Sequence, residues 1–474
     1  VFAYFTQKHC DYLLADQPDI INDVISNSKV QRKKGCHMNK QLKQWGEGLI
    51  KDWLNDLDKT GKKNVYNILS EPLLEELLAY SENVNTDRCI LENTVVTTED
   101  GFKLAKDIKL GDKLFTHTGA NREVIYVDKH VYTGNMVQLR LQGDYRVLTC
   151  TANHPIYVGY SKFKSHYFRK DAIKHPEWVR ADCLNYKYQF ALLPKRKGLA
   201  DIDLSDDVLY LLGWVMSDGY IAKDSNTVRI TYQINQLDCA KKCLNIIEDY
   251  LVDEKYYFSI NGKRKIDRKP AKIFRYKNCW RLEVSSRKLH DLCEWFGCNP
   301  NSKCINHEIY NKYGNLMPFI IGWLEGDGHQ RLNCNYDGHT RNGIELSTIY
   351  EELIHQCRQI LIDHGIYSSV RKVKTRGNYR DQYSILISNE FVNKTLRYYE
   401  SLKFVKIQVL KNTCRCIETK DGFWTPIKLL NIYQDTVPVI NFEVDTDHSY
   451  VAEGIAVHNC MAVMQLMIYR EQLY

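Results

Sequence analysis

The pattern of apolar and polar positions changes character four times along the chain. Up to residue 88 apolar residues recur at helical spacing, as in 39–58 (NKQLKQWGEGLIKDWLNDLD). Ser70 and Pro72 ahead of LLEELLAY predict a helix start, with a capping serine and a proline just inside. From Cys89 to about residue 195 the texture is short strands broken by Gly, Asp and Asn: TVVTTEDGFK, EVIYVDKHVY, MVQLRL, YRVLTC. Helices mixed with strand pairs follow at 205–402, and they repeat. The helix 209–219 (LYLLGWVMSDG) has its counterpart at 319–328 (FIIGWLEGDG). Each half continues through a strand region, a helix, a basic strand pair and a closing helix. The order α-β-β-α-β-β-α is therefore predicted twice. Strand texture returns at 404–458, and 461–474 predicts one amphipathic helix.

Composition narrows this picture. The chain has 474 residues, 44% hydrophobic and 26% charged, enough for two or three domains. A wholly disordered chain, a disulfide miniprotein and a collagen-like repeat are excluded. No apolar run approaches the roughly 20 residues that span a bilayer. The chain starts at Val1 without a signal-peptide pattern, which reads as a fragment of something longer or as a processed product. The net charge of +7 permits nucleic-acid binding without demanding it. The 16 cysteines have no framework spacing and read as reduced thiols of an intracellular, cytoplasmic protein. Two of them, Cys89 and Cys460, sit where the texture of the chain changes.

Those two edges carry reactive groups. The Cys89 thiolate is a strong nucleophile next to the carbonyl of Arg88. At the far edge stands His458-Asn459-Cys460. An Asn amide can attack its own backbone carbonyl and close a succinimide, and a neighbouring His can polarise that carbonyl or move the proton. Between the edges lie Thr151-Ala152-Asn153-His154-Pro155 and Asp447-His448. Taken singly, such a cysteine is usually core and such a histidine merely a satisfied side chain; the ordered set is what points to chemistry. It resembles an intein, the self-splicing member of the Hint fold, over 89–459. The matching blocks are CILENTVVTTEDGFKLAKDIKLGDKLFTHTG, YRVLTCTANHP, EWVRADCLNYKYQFALLP and VPVINFEVDTDHSYVAEGIAVHNC. The resemblance implies that Cys89 performs an N-to-S acyl shift while Thr151 and His154 distort and protonate the Arg88–Cys89 amide. Cys460 would then take the acyl group by transthioesterification. His448 and His458 would assist cyclisation of Asn459, and an S-to-N shift would join Arg88 to Cys460, all without a cofactor. Asn441 departs from the pattern: many inteins carry Asp there, and a neutral side chain slows or uncouples the steps.

The repeated helices carry a second chemistry. They end in Ser217-Asp218-Gly219 and Gly326-Asp327-Gly328, and Gly213 and Gly322 allow backbone-to-backbone packing that sets the acids side by side. One Asp-Gly at a helix end is usually a turn. Two copies 109 positions apart in matching contexts suit a divalent metal and phosphodiester cleavage. LLGWVMSDG and IIGWLEGDG resemble the LAGLIDADG motifs of homing endonucleases, departing at the sixth position, where Met216 and Glu325 stand. The resemblance implies Asp218 and Asp327 as catalytic, metal-binding acids with Mg2+, and Lys303 as a catalytic lysine. Lys403 and Lys406 match a second such lysine poorly. It also implies a monomer with pseudo-twofold symmetry on a double-stranded DNA homing site. The strand pairs would meet DNA: 263–281 has nine basic residues against one acidic, and 370–380 reads VRKVKTRGNYR. Arg229, Lys263, Lys265, Lys272, Arg371, Lys372, Lys374 and Arg376 are the candidate DNA contacts.

Joined across the insertion, the flanks resemble the C-terminal end of a phage terminase large subunit, in GLIKDWLND, EPLLEELLAY, NTDR and MAVMQLMIYRE. That resemblance implies a host that joins the DNA-packaging machinery, with Asp87 as a metal ligand; a helix-capping role for Asp87 competes. The expected fold class is multidomain α+β, an all-β Hint splicing domain interrupted by a duplicated αββαββα endonuclease domain. The expected divisions are 1–88 (N-extein), 89–204 and 403–459 (splicing domain), 205–402 (endonuclease) and 460–474 (C-extein). Competing readings are a Hint autoprocessing or binding module with a degenerate endonuclease, and a plain DNA-binding protein with inert β flanks.

Overall fold

The computed structural model describes residues 88–161, 173–223, 225–253, 257–260, 263–266, 270–299, 301–336, 339–374, 380–388, 390–407 and 416–459. The helices expected at 39–58, after Ser70 and at 461–474, together with Asp87, Arg376 and Cys460, lie outside the described residues, as do the flanking segments 1–87 and 460–474. The described residues form a mixed α/β, multidomain structure. No helix among them is long and apolar enough to cross a membrane.

Strands fill 90–194 and 417–458 and join in one sheet. Its spine is a pair of very long antiparallel strands, Asn121–Leu141 and Gly422–Val444, in register from Ile427↔Leu141 to Val444↔Val124. The sequence predicts separate short strands here, broken near Gly134. The structure instead runs one strand through Gly134, which pairs with Asp435. The reason is the partner: a continuous ladder satisfies the backbone on both strands, so a glycine costs the ribbon only local propensity. The short strand Ile90–Leu91 lies between Gly422–Val444 and Leu148–Thr151. The hairpin Ser449–Ala452/Ile455–His458 pairs back onto Val95–Thr98 and Pro155–Tyr160. Residues from the two ends of the 89–459 stretch thus share one sheet.

Between these strand sets the element order α-β-β-α-β-β-α occurs at 317–395, and 206–296 follows the same order with two further strands before its last helix. The first run holds α1 (Asp206–Asp218), α2 (Leu237–Tyr250) and α3 (Arg287–Phe296). A short α4 (His307–Lys312) precedes α5 (Met317–Asp327), α6 (Glu351–Asp363) and α7 (Glu390–Thr395). Each run carries a four-stranded antiparallel sheet, and the first adds the hairpin Tyr257–Ile260/Lys263–Ile266. Ser205 starts α1 by accepting the Val208 N–H at 3.3 Å, and Asp206 and Asp207 complement the helix dipole. Pro318 opens α5. Both helices are apolar almost all round, because each is enclosed by its sheet, its neighbours and the other helix; Tyr210, Trp214, Phe319 and Trp323 are fully buried.

The close packing expected from the two glycines is present. A methyl group on Gly213 would collide with Phe319 O, and one on Gly322 with Tyr210 O. Gly322→Ala must therefore push the α1 and α5 backbones apart, and a loss of about 3 kcal/mol is expected, the upper part of the range for overpacking. Urea denaturation followed by tryptophan fluorescence, to which Trp214 and Trp323 contribute among the eight tryptophans, checks it; an unchanged midpoint refutes the packing argument.

The strand and helical parts are tied by buried ion pairs. Asp144, from the turn after Asn121–Leu141, meets Arg146 at 2.8 Å and Arg358 of α6. The two guanidiniums hold its carboxyl far below the usual range despite burial. Arg196 pairs with Asp363 of α6 at 2.7 Å.

Candidate functional sites

The first site forms where α1 and α5 end. Asp218 and Asp327 stand at the two helix C-termini, open to solvent, and a side chain at Gly326 would strike Ser217 and press on the Asp218 carboxylate. Partial burial and then the charge of Asp327 push Asp218 up to about 6. Burial raises Asp327 as well, against the Trp323 Nε1–H that donates to its Oδ2 at 3.1 Å. Each helix end also receives a lysine. Lys303 Nζ donates to Met216 O at 2.6 Å and Ser217 O at 2.7 Å. Lys403 Nζ donates to Glu325 O at 2.7 Å and Gly326 O at 3.3 Å, the matching positions of the second helix. Burial lowers both lysines while the two aspartates oppose it.

Sequence reasoning left the second lysine open between Lys403 and Lys406; the fold brings Lys403 to the acids. It also explains the odd residue at the sixth motif position. Glu325 is fully buried and accepts from Ser401 Oγ and Leu402 N, both at 2.6 Å, from Lys403 N at 3.2 Å and from Tyr210 Oη. It clamps the loop that delivers Lys403. The signal was a charged residue on an otherwise apolar helix, Glu325 at a position where its counterpart is Met216. The oxygen-only pair Asp218/Asp327, with each group raised by its surroundings, fits a hard divalent cation.

The outer face of the first sheet carries Arg229, Glu283 and Lys272 side by side, with Arg229 Nε and Lys272 Nζ on Glu283 at 2.9 and 3.1 Å. Arg281 on the same face covers the Tyr276 ring at 3.9 Å. In the second sheet Arg371 is exposed on the outer face, but Lys372 is on the other: it pairs with Asp381 at 3.3 Å and lies over Tyr383. The two neighbours on one strand cannot both face DNA. Lys374 ends the described stretch after that strand. Lys263 and Lys265 share one face of the hairpin backbone, their side chains lying outside the described residues.

The second site lies in the strand part. Cys89 N–H donates to Thr151 Oγ1 at 3.1 Å, and Thr151 N–H to Cys89 O at 3.0 Å. The ring of His154, fully buried, lies against the backbone of Arg88 and Cys89. Thr151 and His154 therefore address one peptide group. Burial, then the charges of Arg88 and His458, push His154 down to about 3, so it is neutral at pH 7. On the other edge His458 Nδ1 is 2.5 Å from Asn459 O, with its ring edge-on to Trp178. Burial lowers His458 to about 4. Neutral, with its proton on Nδ1, it donates to the Asn459 carbonyl. Asn459 is itself buried and donates its N–H to His448 O at 3.0 Å. His448 sits at φ +48°, held by Asp447, which accepts from Thr116 Oγ1, Thr118 Oγ1 and Arg122 Nε at 2.8–2.9 Å. Burial lowers His448 too. Sequence reasoning did not single out this Asp447 anchor or His117, which meets Ser449 Oγ at 2.6 Å. Asn441 is buried, and Oδ1 has no hydrogen-bond partner among the described residues; the register Ile90↔Ile440 brings it level with Cys89.

Residues 315–398, which include α5, match the LAGLIDADG-like domain family. An uncharacterized protein of Methanocaldococcus jannaschii is 24% identical over 480 residues, covering 87% of this chain and 55% of that protein. The ATP-dependent DNA helicase Hel308 of the same organism is 26% identical over 303 residues, covering 61% of this chain and 22% of the helicase. Hel308 of Thermococcus kodakarensis is 22% identical over 432 residues, covering 79% and 36%. The chain thus spans 55% or less of the length of these relatives. Among solved structures, the homing endonuclease I-DmoI in complex with DNA and Mn aligns with 43% of this chain and 98% of its own, at 15% identity and TM-score 0.28. The N-terminal LAGLIDADG domain of DUF199/WhiA aligns with 42% and 84%, at 13% identity and TM-score 0.24.

Proposed function

We propose that this chain is a self-splicing precursor in which residues 89–459 excise themselves and join Arg88 to Cys460, and that the helical part within them cleaves double-stranded DNA coding for the joined sequence. The observation that carries the splicing reading is the meeting of two peptide groups in one sheet. Arg88–Cys89 has Thr151 and His154 against it, and the Asn459 carbonyl has His458. In the first step the Cys89 sulfur attacks the Arg88 carbonyl carbon and the amide C–N bond breaks. Neutral His154 takes the Cys89 thiol proton as the sulfur attacks and, as imidazolium, passes it to the departing nitrogen once that nitrogen becomes basic. The Cys460 sulfur then displaces Cys89 from the thioester. The Asn459 side-chain nitrogen attacks its own carbonyl carbon, whose oxygen His458 polarises, and the bond to Cys460 breaks. The freed Cys460 amine takes the acyl group from its own sulfur. Both cysteines act as thiols, so the reaction suits a reducing compartment. Matches that cover only 22% and 36% of two Hel308 helicases and 55% of an uncharacterized protein are what a shared inserted element would give. On this reading the flanks belong to a terminase-like host, with Asp87 among its metal ligands. Intact-mass measurement with peptide mapping tests it: a ligated Arg88–Cys460 peptide is expected, and persistent full-length chain refutes it.

Asn441 favours a second outcome, cleavage at the junctions without ligation, because no carboxylate stands at that position beside Cys89. Asn441→Asp is expected to speed thioester formation about 10²-fold, the low end of what a positioned base contributes. Thiol-induced cleavage at Arg88 measures it, and a rate equal to that of the natural chain argues against a role for this position.

For DNA, Asp218 and Asp327 would hold the divalent cation, Mg2+ by preference, which when bound activates water and steadies the leaving oxygen. Lys303 and Lys403 put one positive charge beside each acid, and the outer sheet faces offer Arg229, Lys272 and Arg371 to phosphates. Lys403→Met is expected to lower cleavage of the joined coding sequence about 10²-fold while leaving DNA affinity nearly unchanged. Single-turnover cleavage and a gel-shift assay separate the two; equal losses in both refute a catalytic role.

A further inference from the structure

A third group of chemistry-bearing residues lies away from both sites. The segment after α3 carries Cys304-Ile305-Asn306-His307, and the first turn of α6 carries Glu352. One ligand atom from each of Cys304, His307 and Glu352, a thiol sulfur, an imidazole nitrogen and a carboxylate oxygen, lies within 4.8 Å of the others. Ligands of a tetrahedral zinc ion at its usual bond lengths stand roughly 3.3–3.8 Å apart, so the trio needs only a small contraction. The donors are held by a built scaffold. Fully buried Gln356, one turn on from Glu352, accepts from Ile305 N and donates to Ile305 O, both at 2.8 Å, and so pins the middle of the C-x-x-H segment. Asn306 caps α4 by accepting the Glu308 N–H at 2.9 Å.

The site is closed from the strand part. Gly101, at φ +103°, lies over it so tightly that a methyl group there would strike both Glu352 Oε1 and the His307 ring. His307 Nδ1 and Glu352 Oε1 are shielded from solvent without a hydrogen-bond partner among the described residues, and His307 Nε2 stands 3.4 Å from that carboxylate oxygen. Shielded polar atoms left unsatisfied are costly, and a cation between them removes that cost. Burial also pushes the Cys304 thiol and the Glu352 carboxyl up, as expected where a compensating positive charge belongs. Sulfur, nitrogen and oxygen together select zinc over magnesium, unlike the oxygen-only acids at the helix ends.

We propose that Cys304, His307 and Glu352 bind one zinc-class divalent cation, with solvent in the fourth position, at the seam between the Val95–Leu104 hairpin and helices α4 and α6. Binding releases the Cys304 proton and fastens the strand part to the helical part. It also fixes the residue after Lys303, whose amine caps α1. The proposal requires neither splicing nor DNA cleavage, so an inert junction or a dead nuclease leaves it standing.

The test uses the purified chain, stripped of metal with a chelator. Zn2+ is expected to slow alkylation of Cys304 at least ~10-fold, read by peptide mapping, while exposed Cys183 reacts at an unchanged rate. Co2+ should bind with thiolate charge-transfer absorption, yield to Zn2+, and bind ~10–100-fold more weakly in Glu352→Gln and Cys304→Ser but not in Cys183→Ser. Equal alkylation of Cys304 with and without Zn2+ in the unaltered chain overturns the proposal. So does full zinc protection of Cys304 in a folded Glu352→Gln protein.

Discussion

If the chain splices as proposed, His154→Ala is expected to leave it largely unspliced, with the first step slowed about 10²–10³-fold, the usual effect of removing one donor from a developing charge. The size follows from its surroundings. His154 is fully buried, and its ring lies against the Arg88–Cys89 peptide group, the one that the proposed first step breaks. No water can replace it as a proton donor to the departing nitrogen. Thr151 remains, and its hydroxyl oxygen accepts from the same Cys89 N–H at 3.1 Å, so the step is slowed rather than abolished. Removing a buried ring also leaves a cavity, so a melting curve must accompany the kinetics. The discriminating readout is the opposite junction. In His154→Ala the Asn459 carbonyl keeps its His458 contact at 2.5 Å, and release of Cys460 should persist while thioester formation fails. Ligated product at the natural rate would sink the assignment.

Asp218→Asn combined with Asp327→Asn is expected to reduce DNA cleavage at least ~10³-fold, corresponding to about 4 kcal/mol of transition-state stabilisation. DNA affinity should hold, because the outer sheet faces with Arg229, Lys272 and Arg371 are untouched. The same pair sets a pH dependence. Asp218 is raised to about 6 by partial burial and by Asp327, so it is ionised above that value and protonated below it. Cleavage should fall about tenfold per unit as the pH drops below ~6, and added Mg2+ should move the limb to lower pH by competing with the proton. A flat profile down to pH 5, or normal cleavage by the double variant, refutes the acid pair as the metal-holding group.

Much of this arrangement is legible in the sequence. Gly213 and Gly322 announced close helix packing because a glycine in an apolar helix has few other uses, and the two backbones do touch there. Asp218 and Asp327 were legible because the same string occurs twice. Lys403 was not: it lies 76 positions beyond Asp327 in sequence, and only the Glu325 clamp on Ser401, Leu402 and Lys403 brings it to the helix end. Lys372 shows the opposite failure. Its charge run reads as a single basic surface, but strand alternation turns it away from Arg371. The strand through Gly134 looks like two in the sequence, because local glycine content says nothing about a partner strand about three hundred residues away.

By itself the sequence determined the alternation of strand and helix texture, the repeated acidic helix ends and the reactive residues at positions 89 and 458–459. These are local properties, set by side-chain periodicity and residue chemistry. Tertiary structure alone decided which of those groups meet. It set His154 against the Arg88–Cys89 peptide, turned His458 onto the Asn459 carbonyl, matched Lys303 with Lys403, and closed Gly101 over Cys304, His307 and Glu352. The reason is physical: proximity across a sheet or between packed helices comes from long-range pairing, and no local pattern encodes it.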